Sequence, residues 1–216
     1  MQKVLKLISD ADWQKSAPEI TAEISEIQYK LLGIKDDFTE VKKYFNSLML
    51  SLEAEIENTI KNLTANGMEV YFVEDKSAAL EKVVELLPEG STVAVGGSDT
   101  LATTGVLELL RSGKYEFLDR YKEGLTPEET AKIFRDSFSV DYYFSSSNAI
   151  TENGELYNVD GNCNRISAIA FGPKNVIIVA GVNKIVPDLP AAVLRVKTVA
   201  APKNCMRLGI NSYCSK

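Results

Sequence analysis

Beyond Gly67 the chain alternates short β-type runs with helix-type stretches, and that alternation limits its fold more than any other feature. "MEVYFV", "STVAVGG", "VDYYFSSS" and "NVIIVAG" read as strands, the last as a buried one. Between them "SAALEKVVELL", "TTGVLELLRSG" and "TPEETAKIFRDSF" read as helices. The last has Thr126 as its cap, Pro127 at the first position and acids in the first turn. "NAITENGELYNVDGNCNRISAIAFG" reads as loop and strand, with turns at Asn153-Gly154 and Asp160-Gly161. A further turn and a helix from about Asp188 follow. The expected class is α/β with a mostly parallel sheet.

Ahead of this region, "PEITAEISEIQYKLL" and the stretch from about Phe38 to Asn66 predict two helices. Leu48, Leu52, Ile56, Ile60 and Leu63 form the apolar stripe of the second. The expected organisation is a helical segment over 1–66, an α/β domain over 67–204 and a tail over 205–216. The helical segment is scaffold or a contact in a homo-oligomer.

Composition narrows the chemistry. The chain has no histidine, which removes Ser-His-Asp and Cys-His catalysis and every imidazole-bound zinc. Cys163, Cys205 and Cys214 are too widely spaced for a disulfide framework or a metal site. A net charge of −6 without a basic block argues against nucleic acid. No apolar stretch is long enough for a bilayer, and the N-terminus lacks a signal-peptide core, so a cytoplasmic protein is expected.

Three polar clusters follow predicted strands, at the carboxyl edge where α/β sheets bind ligands. In "VGGSDTLATTG", Gly96, Gly97, Ser98, Asp99 and Thr100 form either an anion cradle or a capped turn. The loop has neither the lysine of a P-loop nor the glycine spacing of a dinucleotide fingerprint. The second cluster holds Ser145, Ser146, Ser147, Asn148, Glu152, Asp160, Asn164 and Arg165. Glu152 is a nucleophile, a base or a solvated hairpin residue; Arg165 clamps an anion or braces Asp160. The third cluster offers Asn183 and Lys184, the latter an anion-binding lysine or a surface turn residue.

"VAVGGSDTL", "SSSNAITENGELYNVDGNCNRISAIAFGPKNVIIVAGVNKIV" and "APKNCMRL" together resemble the LUD (lactate-utilisation) domain family, of the protein C type, over about residues 40–210. The resemblance implies a three-layer α/β/α core similar to CoA transferases, ribose-5-phosphate isomerases and glucosamine-phosphate deaminases. It implies that the 96–100 loop contacts a small anionic ligand, whether a carboxylate, a phosphate or a CoA ester. It also implies an accessory role in lactate utilisation, beside iron–sulfur and flavin-type oxidoreductase partners. No cofactor of the chain itself follows from it. "TENG" is similar to the Ser-Glu-Asn-Gly turn that carries the catalytic glutamate of CoA transferases, which would make Glu152 an acyl-accepting nucleophile. An oligomeric interaction protein with a vestigial pocket is the third reading. The resemblance also implies that some shorter family members continue past the position of "INSYC" into a cysteine-rich tail. Residues 205–216 are then a chain without that tail, or one cut short, with Cys214 as the first ligand of a lost metal site.

Overall fold

The computed structural model of the protein describes residues 39–211, with side chains from residue 50 onward. The helix expected over residues 18–32, Leu48 of the apolar stripe, and Cys214 lie outside the described residues. The chain divides after Glu57, and the second unit, 58–216, holds both sheets.

Helix α1 (Thr39–Ala65) follows the expected stripe: Leu52, Ile56 and Ile60 are half-buried and Leu63 is buried. The "MEVYFV" run then departs from expectation. It forms no strand, and Tyr71 and Phe72 are exposed. Its residues suit a pleated surface, but a strand also needs a ladder partner, and the run pairs with neither sheet. Helix α2 (Lys76–Leu86) starts on Asp75, whose carboxylate accepts the Ala78 N–H at 2.8 Å.

The main sheet has four parallel strands: β1 (Thr92–Val95), β2 (Glu116–Leu118), β3 (Tyr142–Ser145) and β6 (Asn175–Ile178), in the order β2-β1-β3-β6. Side chains alternate between its faces, as period two requires. Val93, Val95 and Phe144 pack beneath α2, α3 (Asp99–Thr103) and α4 (Val106–Leu110). Ala94, Val140 and Tyr143 pack on the other face against Ala168 of α6 (Asn164–Phe171). The chain is α/β, with helices on both faces of a parallel sheet.

Three expectations are corrected here. The helix expected at "TTGVLELLRSG" begins only at Val106, as α4: Thr103 closes the preceding α3, and the left-handed backbone of Gly105 (φ 77) separates the two. "NRISAIAF", expected within loop and strand, is helix α6. Burial selects it: Arg165 and Ala168, three apart, face inward together. The "NVIIVAG" strand is half-buried rather than buried, because β6 is an outer strand. Helix α5 (Pro127–Asp136) follows the sequence closely, with a reciprocal capping box between Thr126 and Glu129.

A second sheet, in the order β5-β4-β7, joins β4 (Ala149–Thr151), β5 (Leu156–Tyr157) and β7 (Ile185–Val186). β4 and β5 form the expected hairpin, while β4 and β7 run parallel. Helix α7 (Leu189–Arg195) starts on Asp188, packs on this sheet and passes through a widened π turn (Val196–Ala200) into α8 (Ala201–Leu208). Pro202 explains the widening. It has no N–H to give, and its ring would crowd the carbonyl one turn earlier. Among the described residues no helix is long and apolar enough to cross a membrane.

Candidate functional site

The chain order around the main sheet reverses between β1 and β3. β2 lies to one side of β1, and the chain then crosses back to place β3 on the other. Such a switch point opens a crevice at the carboxyl ends of the two strands. Gly96 continues the β1 ladder there, its N–H donating to the Phe144 carbonyl at 2.8 Å. Only glycine fits at this position. A Cβ would lie 2.8 Å from Arg165 Cγ and 2.9 Å from both Ser145 Oγ and the Tyr143 hydroxyl. Tyr143 itself is buried, and burial pushes its phenol up to about 12, so it stays neutral.

Lys184 is the centre of the site. It ends a short 3₁₀ turn (Val182–Lys184) and enters β7, whose pairing with β4 fixes its direction. Its ammonium donates to Thr100 Oγ1 at 2.9 Å and to Ser146 Oγ at 2.5 Å. Burial lowers its pKa to about 8; Arg195 and Arg165 push the same way, and Asp99 opposes them. Arg165 and Arg195 are themselves lowered by burial, which the Asp160 charge opposes at Arg165. Among the described residues, none of these three cations forms an ion pair with a carboxylate.

The two arginines spend their Nη donors on oxygen acceptors. Arg165 Nη1 bonds the Ser146 carbonyl (3.1 Å) and Asn158 Oδ1 (2.7 Å). Its Nη2 bonds Asn148 Oδ1 (2.8 Å) and the Val159 carbonyl (2.9 Å). Arg195 bonds the carbonyls of Asn148 and Asn183. Both therefore brace the strand-to-hairpin corner and leave a positive field there. Arg195, an arginine in an apolar helix, had no sequence signal; Asn158 sits inside the polar 145–165 stretch but is not singled out there. Arg165 does not brace the Asp160 carboxylate through its side chain. Asp160 instead accepts the backbone N–H groups of Arg165 (2.7 Å) and Ile166 (3.2 Å), capping α6 where Cys163 is left-handed (φ 60).

The other expected residues divide. Ser98 caps α3, accepting the Leu101 N–H at 3.3 Å, and Asp99 is exposed in its first turn. The 96–100 loop thus has the geometry of a capped turn, with Thr100 as the member that reaches Lys184. Gly97 borders open space: a Cβ there would meet only the Tyr121 hydroxyl, at 4.0 Å. Ser145 and Ser147 are buried and satisfied by backbone oxygens, Ser146 and Ala149 carbonyls respectively. Asn148 links Arg165 to the Val159 N–H. Asn164 opens α6, and Asn183 is exposed.

Glu152 does not join this corner. Its N–H donates to the Val186 carbonyl at 2.9 Å, at the far end of the small sheet. Lys184 lies level with the start of β4, about three residues away along the ladder, or roughly 10 Å. The Glu152 turn is held from outside the sheet. Asn62 at the end of α1 donates to the Glu152 carbonyl (2.6 Å), and Asn66 donates to those of Asn153 (3.2 Å) and Gly154 (3.0 Å). The Glu152 carboxylate takes no hydrogen bond or ion pair among the described residues.

A family model for the LUD domain matches residues 56–216. The chain belongs to the LUD domain family. The match covers both sheets, the Lys184 corner and the Glu152 turn, and the family is associated with lactate utilisation. No curated protein and no solved structure matches the chain. Among the described residues of this LUD domain no group of His, Cys, Asp and Glu could hold a metal ion. A shallow cleft of about 370 Å³ lies at the opposite, amino end of the main sheet, against Thr92, Glu116, Asp136 and Val140. Phe117, Leu118 and Ser139 complete its lining, and its place at that end sets it apart from the Lys184 corner.

Proposed function

We propose that this LUD domain binds a small anion at the switch-point corner, with Lys184 as its contact and Arg165 and Arg195 supplying positive field. One observation carries the reading: three cations meet at a partly buried corner with no carboxylate paired to them among the described residues. Asp99 and Asp160 act on Lys184 and Arg165 only at a distance, so the buried charge stays costly, and a bound carboxylate or phosphate offsets that cost. The family's association with lactate utilisation points to a cytoplasmic accessory component working beside oxidoreductase partners. The test is thermal unfolding with acetate, lactate, phosphate and CoA. A ligand at a hundred times its dissociation constant adds about 2.7 kcal/mol. Stabilisation by an anion that Lys184→Met abolishes supports the reading; no shift with any of them removes it.

A second reading rests on the Glu152 turn. Its backbone is clamped by Asn62, Asn66 and Val186 while its carboxylate is left unpaired. A fixed, unpaired carboxylate suits an acyl-accepting nucleophile. CoA-transfer activity lost in Glu152→Gln, with unfolding unchanged, is its test.

A further inference from the structure

Lys184 is held in an unusual way for a half-buried lysine. Two hydroxyls orient it, from Thr100 and Ser146, which lie 84 and 38 positions away in the chain. A carboxylate partner would lock the proton on the amine; neutral hydroxyls do not, and each can both donate and accept a proton. The neighbouring guanidinium groups act in the same direction, since a lysine next to other cations gives up its proton more easily. The lysine is not sealed: Ser146 is buried beneath it, but Lys184 and Thr100 are only half-buried.

We infer that Lys184 captures the carbonyl of a small 2-oxo carboxylate as an imine, the surrounding cations favouring the ligand's negative charge. This rests on the anion reading above and deepens it. The neutral amine attacks the carbonyl carbon, forming the C–N bond as the C–O π pair moves to oxygen. That oxygen takes a proton and the nitrogen gives one up, with Thr100 and Ser146 placed to relay them. Loss of water then leaves the C=N bond. The sum is amine plus carbonyl giving imine plus water, with no oxidant or reductant. The amine is half neutral at its pKa of about 8, so capture runs near neutral pH.

Glyoxylate with sodium cyanoborohydride at pH 8, followed by peptide mass mapping, tests this on the full chain. Lys184 is expected to be reductively alkylated at least about tenfold faster than the exposed Lys114 and Lys132. Acetate should slow it, a neutral aldehyde should show less preference for Lys184, and Lys184→Arg should leave no modification at that position. Alkylation of Lys184 no faster than of Lys114 overturns carbonyl capture. If acetate and phosphate still raise the unfolding midpoint in that case, the anion site stands without it. If they do not, both inferences fall.

Discussion

The small sheet has two ends, and they are built on opposite plans. At the Glu152 end the backbone is tied down: Asn62 and Asn66 hold three successive carbonyls, and the acidic side chain is left unpaired. At the Lys184 end the side chains are tied down: one lysine meets two hydroxyls, and two arginines thread carbonyl oxygens together. A carboxylate on a rigid turn can be removed without disturbing the turn. A buried cation that braces four oxygens cannot be removed without loosening the corner. The two candidate groups should therefore separate sharply in what their substitution costs.

The largest effect should come from Arg165→Met. It strips partners from Ser146, Asn148, Asn158 and Val159 and should cost about 4 kcal/mol in urea unfolding. A loss under about 1 kcal/mol would mean water replaces the guanidinium, and the corner is no brace.

Gly154→Ala probes the other end and should cost about 3 kcal/mol. Gly154 is left-handed (φ 84), and its Cβ would sit 2.6 Å from the Asn62 carbonyl carbon and 2.7 Å from the Leu63 nitrogen. If the cost is small, the turn is not clamped by α1, and the contrast between the ends weakens.

Lys184→Met should change stability with a definite pH dependence. Wild-type Lys184 has a folded pKa of about 8, below its ordinary 10.5. Below pH 8 it is protonated in both states, and the folded state bears the cost of burying the charge. As pH rises from 8 towards 10.5 the unfolded chain holds the extra proton, so this group's contribution to stability grows. The wild-type unfolding midpoint should gain on Lys184→Met over that window. Parallel midpoints across it would mean the amine is not buried against cations. Anion affinity should fall over the same range, as titration by calorimetry would show.

Glu152→Gln is the smallest effect, within about 0.5 kcal/mol, because the carboxylate has no partner to lose. A larger loss would reveal an interaction at this end and erase the difference between the two.

Local signals were enough for much of the scaffold. Thr126-Pro127 and Glu129 specify the start of α5, because capping is settled within four residues. Short apolar runs placed β1 and β3, and Asn153-Gly154 placed the hairpin. The same kind of reading misjudged "MEVYFV", where strand propensity met no ladder, and "NRISAIAF", whose helix is selected by what Ala168 packs against. Asp160 and Ser98, named among the candidate ligand contacts, each cap a helix in the structure, a role that equally favours polar residues at turns.

The sequence by itself determined a LUD-type α/β chain with strand ends rich in glycine, serine and threonine, and with no histidine chemistry. Tertiary structure alone decided which of those polar groups meet. Lys184 reaches Thr100 and Ser146, and Arg195 joins them from a helix without any polar motif. Propensity and periodicity act over a few residues. The partners of a buried charge come from strand order, and here the reversal between β1 and β3 brings the distant polar segments to one corner.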